Sequence, residues 1–316
     1  MKRFSRSEFY LKFAPILLLV IMCLVMTIGD VSFLSIVNFE TLSIQMSVLL
    51  VIGIGMTFVI LIGAIDLSVG AVVSCSAVAT ALFMRHLGYV AFPLAILTGS
   101  AFGFLNGLIH TRFKIPSFMA TLGTGGIALG IAYRACGGTP VDIPGTATVY
   151  RSWVTESLLG LPNITIIAIS VLFFCYFLER YTRFGRYVYA IGGEERVARL
   201  SGIPVDRYKT FAFILCGACA GLGGALLASR IAMGAPKSGM PFLLLAIAAV
   251  VVGGTAITGG VGGVFRTLVG ALTITILRNG MNVVGVYIYA QQMLVGLVTI
   301  LAVIATINRL KIPIIK

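Results

Sequence analysis

From residue 13 to residue 307 the chain alternates long apolar runs with short polar breaks. The runs cover 13–29, 42–64, 67–84, 90–110, 117–134, 162–178, 211–229, 242–258, 267–283 and 290–307. Each approaches or exceeds the roughly 20 residues that let a helix cross a bilayer. A strand of that composition would leave backbone groups unpaired in lipid, so helices are predicted throughout. The pattern therefore predicts an all-α integral membrane protein of about ten spans, forming one transmembrane domain over residues 1–316. Polar tails at 1–12 and 308–316 and a polar segment at 179–210 interrupt the oil. Only "GAIDLSVG" separates the second run from the third, which predicts a broken or re-entrant helix there.

Composition agrees with this reading. Hydrophobic residues make up 59% of the 316 and charged residues 10%, against roughly 25% charged in a soluble domain. The net charge of +13 is not gathered into a patch with interleaved aromatics, which argues against nucleic-acid binding. It reads as topology instead, because Lys and Arg accumulate on cytoplasmic loops. Ten spans with the N-terminus inside put 17 of the 23 basic residues on the cytoplasmic side, five outside, and Arg278 within a span. The basic start "MKRFSRSEFYLK" resembles a signal peptide, but no A-x-A cleavage pattern follows. An uncleaved first span is expected, with both termini cytoplasmic in a bacterial inner membrane.

Glycine, at 37 residues, has its own pattern. Gly99, Gly103 and Gly107 form one row of small residues four apart, and Gly217, Gly221 and Ala225 form another. Such rows let helices approach closely in lipid, and both read as packing seams. "VILIGAIDLSVGA" (59–71) and "VVVGGTAITGGVGG" each place glycine-rich backbone after an apolar run. The echo suggests an inverted repeat with broken helices, as in many transporters.

Few residues carry chemistry. Asp66 is the one carboxylate within an apolar run, next to Ser68; it reads either as a helix-start cap or as the lining of a path. Arg278, Asn279 and Asn282 form a polar group late in the ninth run, with Asn106, Gln45, Gln291 and Gln292 elsewhere. Amides facing a cavity suit a polyhydroxylated ligand, since they both donate and accept. Cys216-Gly-Ala-Cys219 is formally C-x-x-C, but it lies in an apolar helix and the chain has only two histidines. Small packing residues are expected there rather than zinc. No G-x-x-x-x-G-K-[ST] occurs, so no P-loop ATP site is present, and no hydrolase motif stands out.

The segment 179–210 holds seven basic and four acidic residues. Mixed charge argues against a lipid-binding polybasic patch. Within it "GGEERVARLSGIP" reads as a short helix, with acids in the first turn, Arg199 late, Gly202 after it and Pro204 as a stop. Its apolar residues Val197, Ala198 and Leu200 suit a groove on another protein.

The same residues carry a family resemblance. "GMTFVILIGAIDLSVGA", "NGLIHTRFKIPSFMATLGT", "GGTPV", "TRFGRYVYAIGGEERVARLSGI", "IAAVVVGGTAITGGVGG" and "TLVGALTITILRNGMNVVGV" resemble, in order, the permease subunits of ribose/xylose/arabinose/galactoside-type ABC importers. The resemblance implies a type II-like fold similar to the ten-span importers of the cobalamin class. It implies two permeases, identical or homologous, two cytoplasmic ATPase subunits holding ATP and Mg, and an extracytoplasmic solute-binding protein. No cofactor is expected in this chain. Gly193, Glu194, Glu195, Ala198, Leu200, Ser201 and Gly202 match the stretch that contacts the ATPase. One departure stands out: the family usually has a Glu and an Asp just before "AIAAVV", where this chain has Leu243 and Leu245. Other readings are a branched-chain amino acid or nucleoside permease, an ion-coupled secondary transporter working alone, or a membrane receptor.

Overall fold

The computed structural model describes residues 6–306 apart from 144 and 159, with side chains from residue 15 to residue 301 apart also from 146. The expected tail 308–316 lies outside the described residues, as do residues 1–5 of the other tail. In chain order the helices are α1 Arg6–Gly29, α2 Ile36–Leu61, α3 Val69–Leu87, α4 Ala91–Arg112, α5 Ser117–Cys136, α6 Thr148–Thr155, α7 Asn163–Tyr181, α8 Arg183–Gly193, α9 Glu195–Leu200, α10 Val205–Ile231, α11 Met240–Val252, α12 Val264–Val283 and α13 Ile288–Thr306. The ten apolar runs coincide with the ten longest of these. Among the described residues, four segments are long and apolar enough to cross a membrane: Ile36–Leu61, Val69–Arg112, Asn163–Tyr181 and Val205–Ile231. Three shorter apolar helices lie at Pro15–Gly29, Met240–Val252 and Ile288–Leu301.

Two expected boundaries move. The run 242–258 is helical only to Val252, because Gly253 packs against the Arg266 backbone and Gly254 turns to φ +92. The run 211–229 is helical from Val205, so Asp206 and Lys209 belong to α10 rather than to a loop. Two short antiparallel ladders add to the helices: β1 Val141–Asp142 with β4 Met233–Gly234, and β2 Ser157–Leu158 with β3 Leu161–Pro162.

α2 is the centre, with every residue from Met46 to Ile62 buried. α10, α12, α7 and α11 surround it. Between such apolar partners the polar contacts fix register. Thr57 on α2 shares a 2.6 Å hydrogen bond with Thr267 on α12, and Ser47 donates to Thr165 on α7 at 3.2 Å. Large apolar side chains of α5 and α7, such as Leu122, Ile127, Phe173 and Phe174, face outward. That surface is compatible with lipid and needs no polar cover.

The two glycine rows turn out to be the two sides of one seam. α4 runs antiparallel to α10, and a Cβ on Gly99 would come within 2.8 Å of Gly221 Cα, one on Gly103 within 2.9 Å of Ile214 Cα, and one on Gly107 within 2.7 Å of Thr210 Cα. Cys216 and Cys219 are buried and free, packing on α2 at Gly55.

The bundle has two distinct ends. At one, the break after α2, the segment through α8 and α9, and the loop 253–263 meet, with Arg112, Lys114 and the basic residues of 179–210 around them. This is the basic end. At the other, Tyr89 packs edge-on against Tyr150 and Trp153, with centroids 4.8 and 6.1 Å apart. The two echoing glycine segments both lie at the basic end, where Gly260 N donates to Leu61 O at 2.9 Å.

Candidate functional site

The segment 179–210 folds as a knuckle on the basic end. α8 stops where Glu194 takes extended backbone, φ −161. α9 then runs one and a half turns, until Gly202 at φ +79 and Pro204 end it. An ion-pair chain ties the knuckle to the first turns of α10. Lys209 Nζ donates to Glu195 Oε2 at 2.6 Å, Arg199 to Glu195 Oε1 at 3.2 Å, and Arg199 to Asp206 Oδ1 at 2.7 Å. Lys209 is only 11% exposed at its side chain, so Glu195 neutralises a charge that water barely reaches. Partial burial pushes the Glu195 carboxyl up. The Lys209 ammonium and Arg199 guanidinium outweigh that and hold it below the usual glutamate value.

This geometry divides the seven candidate coupling residues. Gly193, Glu194, Ser201 and Gly202 are exposed, and Leu200 is 81% exposed at the tip beside Val197. Ala198 is 3% exposed and packs inward, which corrects its expected place on a docking face. A helix this short offers one outward stripe, and Ala198 is on the other side of it. Glu195 is committed to its own fold by Lys209 and Arg199.

Beneath the knuckle is a junction built from residues that sequence reasoning missed. Gly192 lies against the Leu61 carbonyl and the Gly260 amide. The single hydroxyl proton of Tyr189 on α8 is shared between Glu179 Oε1 at 2.5 Å and Gly262 O at 2.9 Å. Glu179 Oε2 accepts the Val264 N–H at 2.8 Å, supplying an acceptor to the first turn of α12. One glutamate at the end of α7 thus links α8, the loop 253–263 and α12. Its signal was visible, since it is a lone acid closing an apolar run. Its partners, far along the chain, were not.

Asp66 lies in the break between α2 and α3 and is 1% exposed. It accepts Ser68 N at 2.9 Å, Ser68 Oγ at 2.6 Å and Asn106 Nδ2 at 3.3 Å. Asn106 also donates to Ser68 Oγ at 2.8 Å, and its Oδ1 accepts from Thr124. Ser117 and Thr121 on α5 accept the Ile65 and Leu67 amides at 3.1 and 2.9 Å. The unwound backbone is therefore held by side chains from α4 and α5. Asp66 closes the turn before α3 by accepting the Ser68 amide rather than an N–H of the helix itself, and Ser68 makes no cap bond.

The other path candidates do not join this group. Gln45 is half-buried on α2, about 24 Å of helix from Leu61. Arg278, half-buried, is about 21 Å along α12 from Val264. Asn279 is 3% exposed, and its Oδ1 has no partner among the described residues. Asn282 is exposed and accepts from Gln291 Nε2 at 2.7 Å, pinning the turn between α12 and α13. Leu243 and Leu245 are on α11. Leu243 Cβ is placed 3.2 Å from where a Cβ on Gly70 would be, and Leu245 is buried, so both positions are filled by hydrocarbon packing. Among the described residues no cluster of three His, Cys, Asp or Glu could hold a metal ion.

A multi-helix apolar bundle with a broken helix pinned at its basic end, a charged knuckle beside it and no P-loop motif is the build of a membrane permease. Comparison with known proteins agrees: the family described as "Branched-chain amino acid transport system / permease component" matches residues 38–303, and the chain belongs to it. It is 36% identical to the ribose import permease protein RbsC of Haemophilus influenzae over 307 residues, 96% of this chain and 95% of the relative. It is 38% identical to RbsC of Bacillus subtilis, covering 93% and 92% of the two chains. With the D-allose transport system permease protein AlsC of Escherichia coli the identity is 34%, covering 96% and 93%. No solved structure matches.

Proposed function

We propose that this chain is the membrane-spanning subunit of an ATP-driven ABC importer for a sugar or sugar-like solute. The carrying observation is the knuckle. A bundle without a nucleotide loop projects an apolar tip, Val197 and Leu200, from a frame braced by Glu195, Arg199, Asp206 and Lys209. Such a tip suits a groove on a separate ATPase, which would hold ATP and Mg. The names of the relatives, ribose and allose permeases aligned over 96% of this chain, favour a sugar.

In this reading all ten long helices cross the membrane as one domain, with the basic end and both termini in the cytoplasm. A second permease, identical or homologous, completes the pathway, and an extracytoplasmic binding protein delivers the solute at the aromatic end. Coupling follows from linkage: closure of the motor must favour one permease conformation over another. Glu179, Tyr189 and Gly192 form the short route from the knuckle to the break that Asp66 holds.

Reconstitution in liposomes with the ATPase and binding protein tests this. Uptake of labelled ribose or another pentose should require ATP and all partners. Uptake driven by an ion gradient without the ATPase would replace it with a secondary transporter. Saturable uptake of leucine in place of sugars would favour the amino acid reading. Docking of the binding protein with no uptake would leave a receptor.

A further inference from the structure

Two clefts lie side by side at the basic end and share Thr111, Lys114 and Asp206. The first, about 610 Å³, opens between α4 and α10. Its wall is apolar and outward-facing: Phe104, Leu108 and Phe211 are 47, 36 and 45% exposed. Its rim is basic, formed by Arg112, Lys114 and Arg207. Among the described residues none of these three has a carboxylate within ion-pair reach. Asp206, the one acid in the cleft, is already held by Arg199 at 2.7 Å. Arg207 lies 5.8 Å over the Phe211 ring, so wall and rim are continuous. Lys114 holds a left-handed φ of +55, uncommon outside glycine.

Three unpaired cations above a hydrocarbon wall, at the end of long apolar helices, match one ligand class. A soluble phosphate would use the rim and leave the wall idle. A zwitterionic headgroup would bring its own cation to a rim that already has three. We propose that the α4–α10 cleft binds an anionic phospholipid. Its phosphate would meet Arg112, Lys114 and Arg207, and its acyl chains would run along Phe104, Leu108 and Phe211. The second cleft continues to Glu195, Arg199 and Lys209, so the headgroup borders the ion pairs that brace the knuckle. The site rests on the basic end meeting a leaflet surface, and not on the identity of the transported solute.

Native mass spectrometry of the full chain in detergent tests it, with dioleoyl phosphatidylglycerol, dioleoyl phosphatidylcholine and glycerol 3-phosphate as probes. Phosphatidylglycerol should bind at least tenfold more tightly than phosphatidylcholine, with glycerol 3-phosphate failing to compete. Each rim cation is worth about fivefold, so the Arg112→Gln/Lys114→Gln/Arg207→Gln variant should lose about 100-fold. Arg85→Gln, at the aromatic end, should lose nothing. Arg207→Gln alone, an exposed first-turn change, should lose about fivefold and keeps the test open if the triple variant misassembles. Equal binding of both lipids, competition by glycerol 3-phosphate, unchanged affinity in the rim variants, or a lipid-free dimer closed over the cleft would each overturn the proposal.

Discussion

Two adjacent glycines at the end of α8 offer an internal comparison. A methyl added at Gly192 would overlap the Leu61 carbonyl and come 2.5 Å from the Gly260 amide, while one at Gly193 would meet nothing within 4 Å. Neither residue has positive φ, so both tolerate alanine locally. In Gly192→Ala the two backbones must part on the order of 1 Å to restore normal contact, which breaks the 2.9 Å bond from Gly260 N to Leu61 O. Overpacking costs about 1–3 kcal/mol, the lost bond adds about 1 kcal/mol, and the gain in helix propensity returns up to about 1 kcal/mol. The net expectation is a loss of about 1–3 kcal/mol. Gly193→Ala keeps only the propensity gain, so it should be neutral or slightly stabilising. Thermal unfolding of the full chain in detergent reads the difference, and ATP-dependent uptake in liposomes reads its effect on coupling. If both variants melt and transport alike, the backbone contact at the junction does not carry what is assigned to it.

Further outcomes follow from the same geometry. Glu195→Gln strips the carboxylate from a nearly buried Lys209 ammonium, so it should cost about 1–3 kcal/mol and should raise proteolysis at 194–203. The wild-type Glu195 pKa is depressed on folding, so its contribution is present above the unfolded value near 4.3 and is lost as pH falls through the folded value; a knuckle whose proteolysis ignores pH between 3 and 7 contradicts this. Asp66→Ala leaves the Ser68 amide, Ser68 hydroxyl and Asn106 amide short of an acceptor and should cost about 1–3 kcal/mol. Asp66→Asn keeps an acceptor and should cost less in the same melting assay; equal losses refute the acceptor role. Leu200→Asp, at an 81% exposed tip, should leave unfolding within about 0.5 kcal/mol yet reduce co-purification of the ATPase; normal co-purification places the docking elsewhere.

The long helices were legible because lipid leaves the chain few options: a run of apolar residues near 20 long is a helix. The breaks were legible where glycine is dense, as in "GGTAITGGVGG", whose Gly254, Gly259, Gly260, Gly262 and Gly263 all take positive φ. Small-residue rows on α4 and α10 announced a close seam, but not that each was the other's partner, because nothing local encodes which helix faces which. The same limit hid the support of Asp66, whose distant donor Asn106 comes from α4, and the Glu179–Tyr189–Gly262 link. Gly192 is helical and small because another backbone passes beside it, which nothing local in the sequence encodes. The polar residues Gln45, Asn106 and Arg278 looked like one lining set by chemistry alone, and helix length separates them into opposite halves of the bundle.

Trp153 is the only tryptophan in the chain, and it lies at the aromatic end beside Tyr89. Any indole emission from the permease therefore reports a single location, remote from the knuckle. With a tryptophan-free delivery protein, a spectral change on mixing would register events at that far mouth alone, giving an optical clock for the encounter that needs no label and no engineered dye.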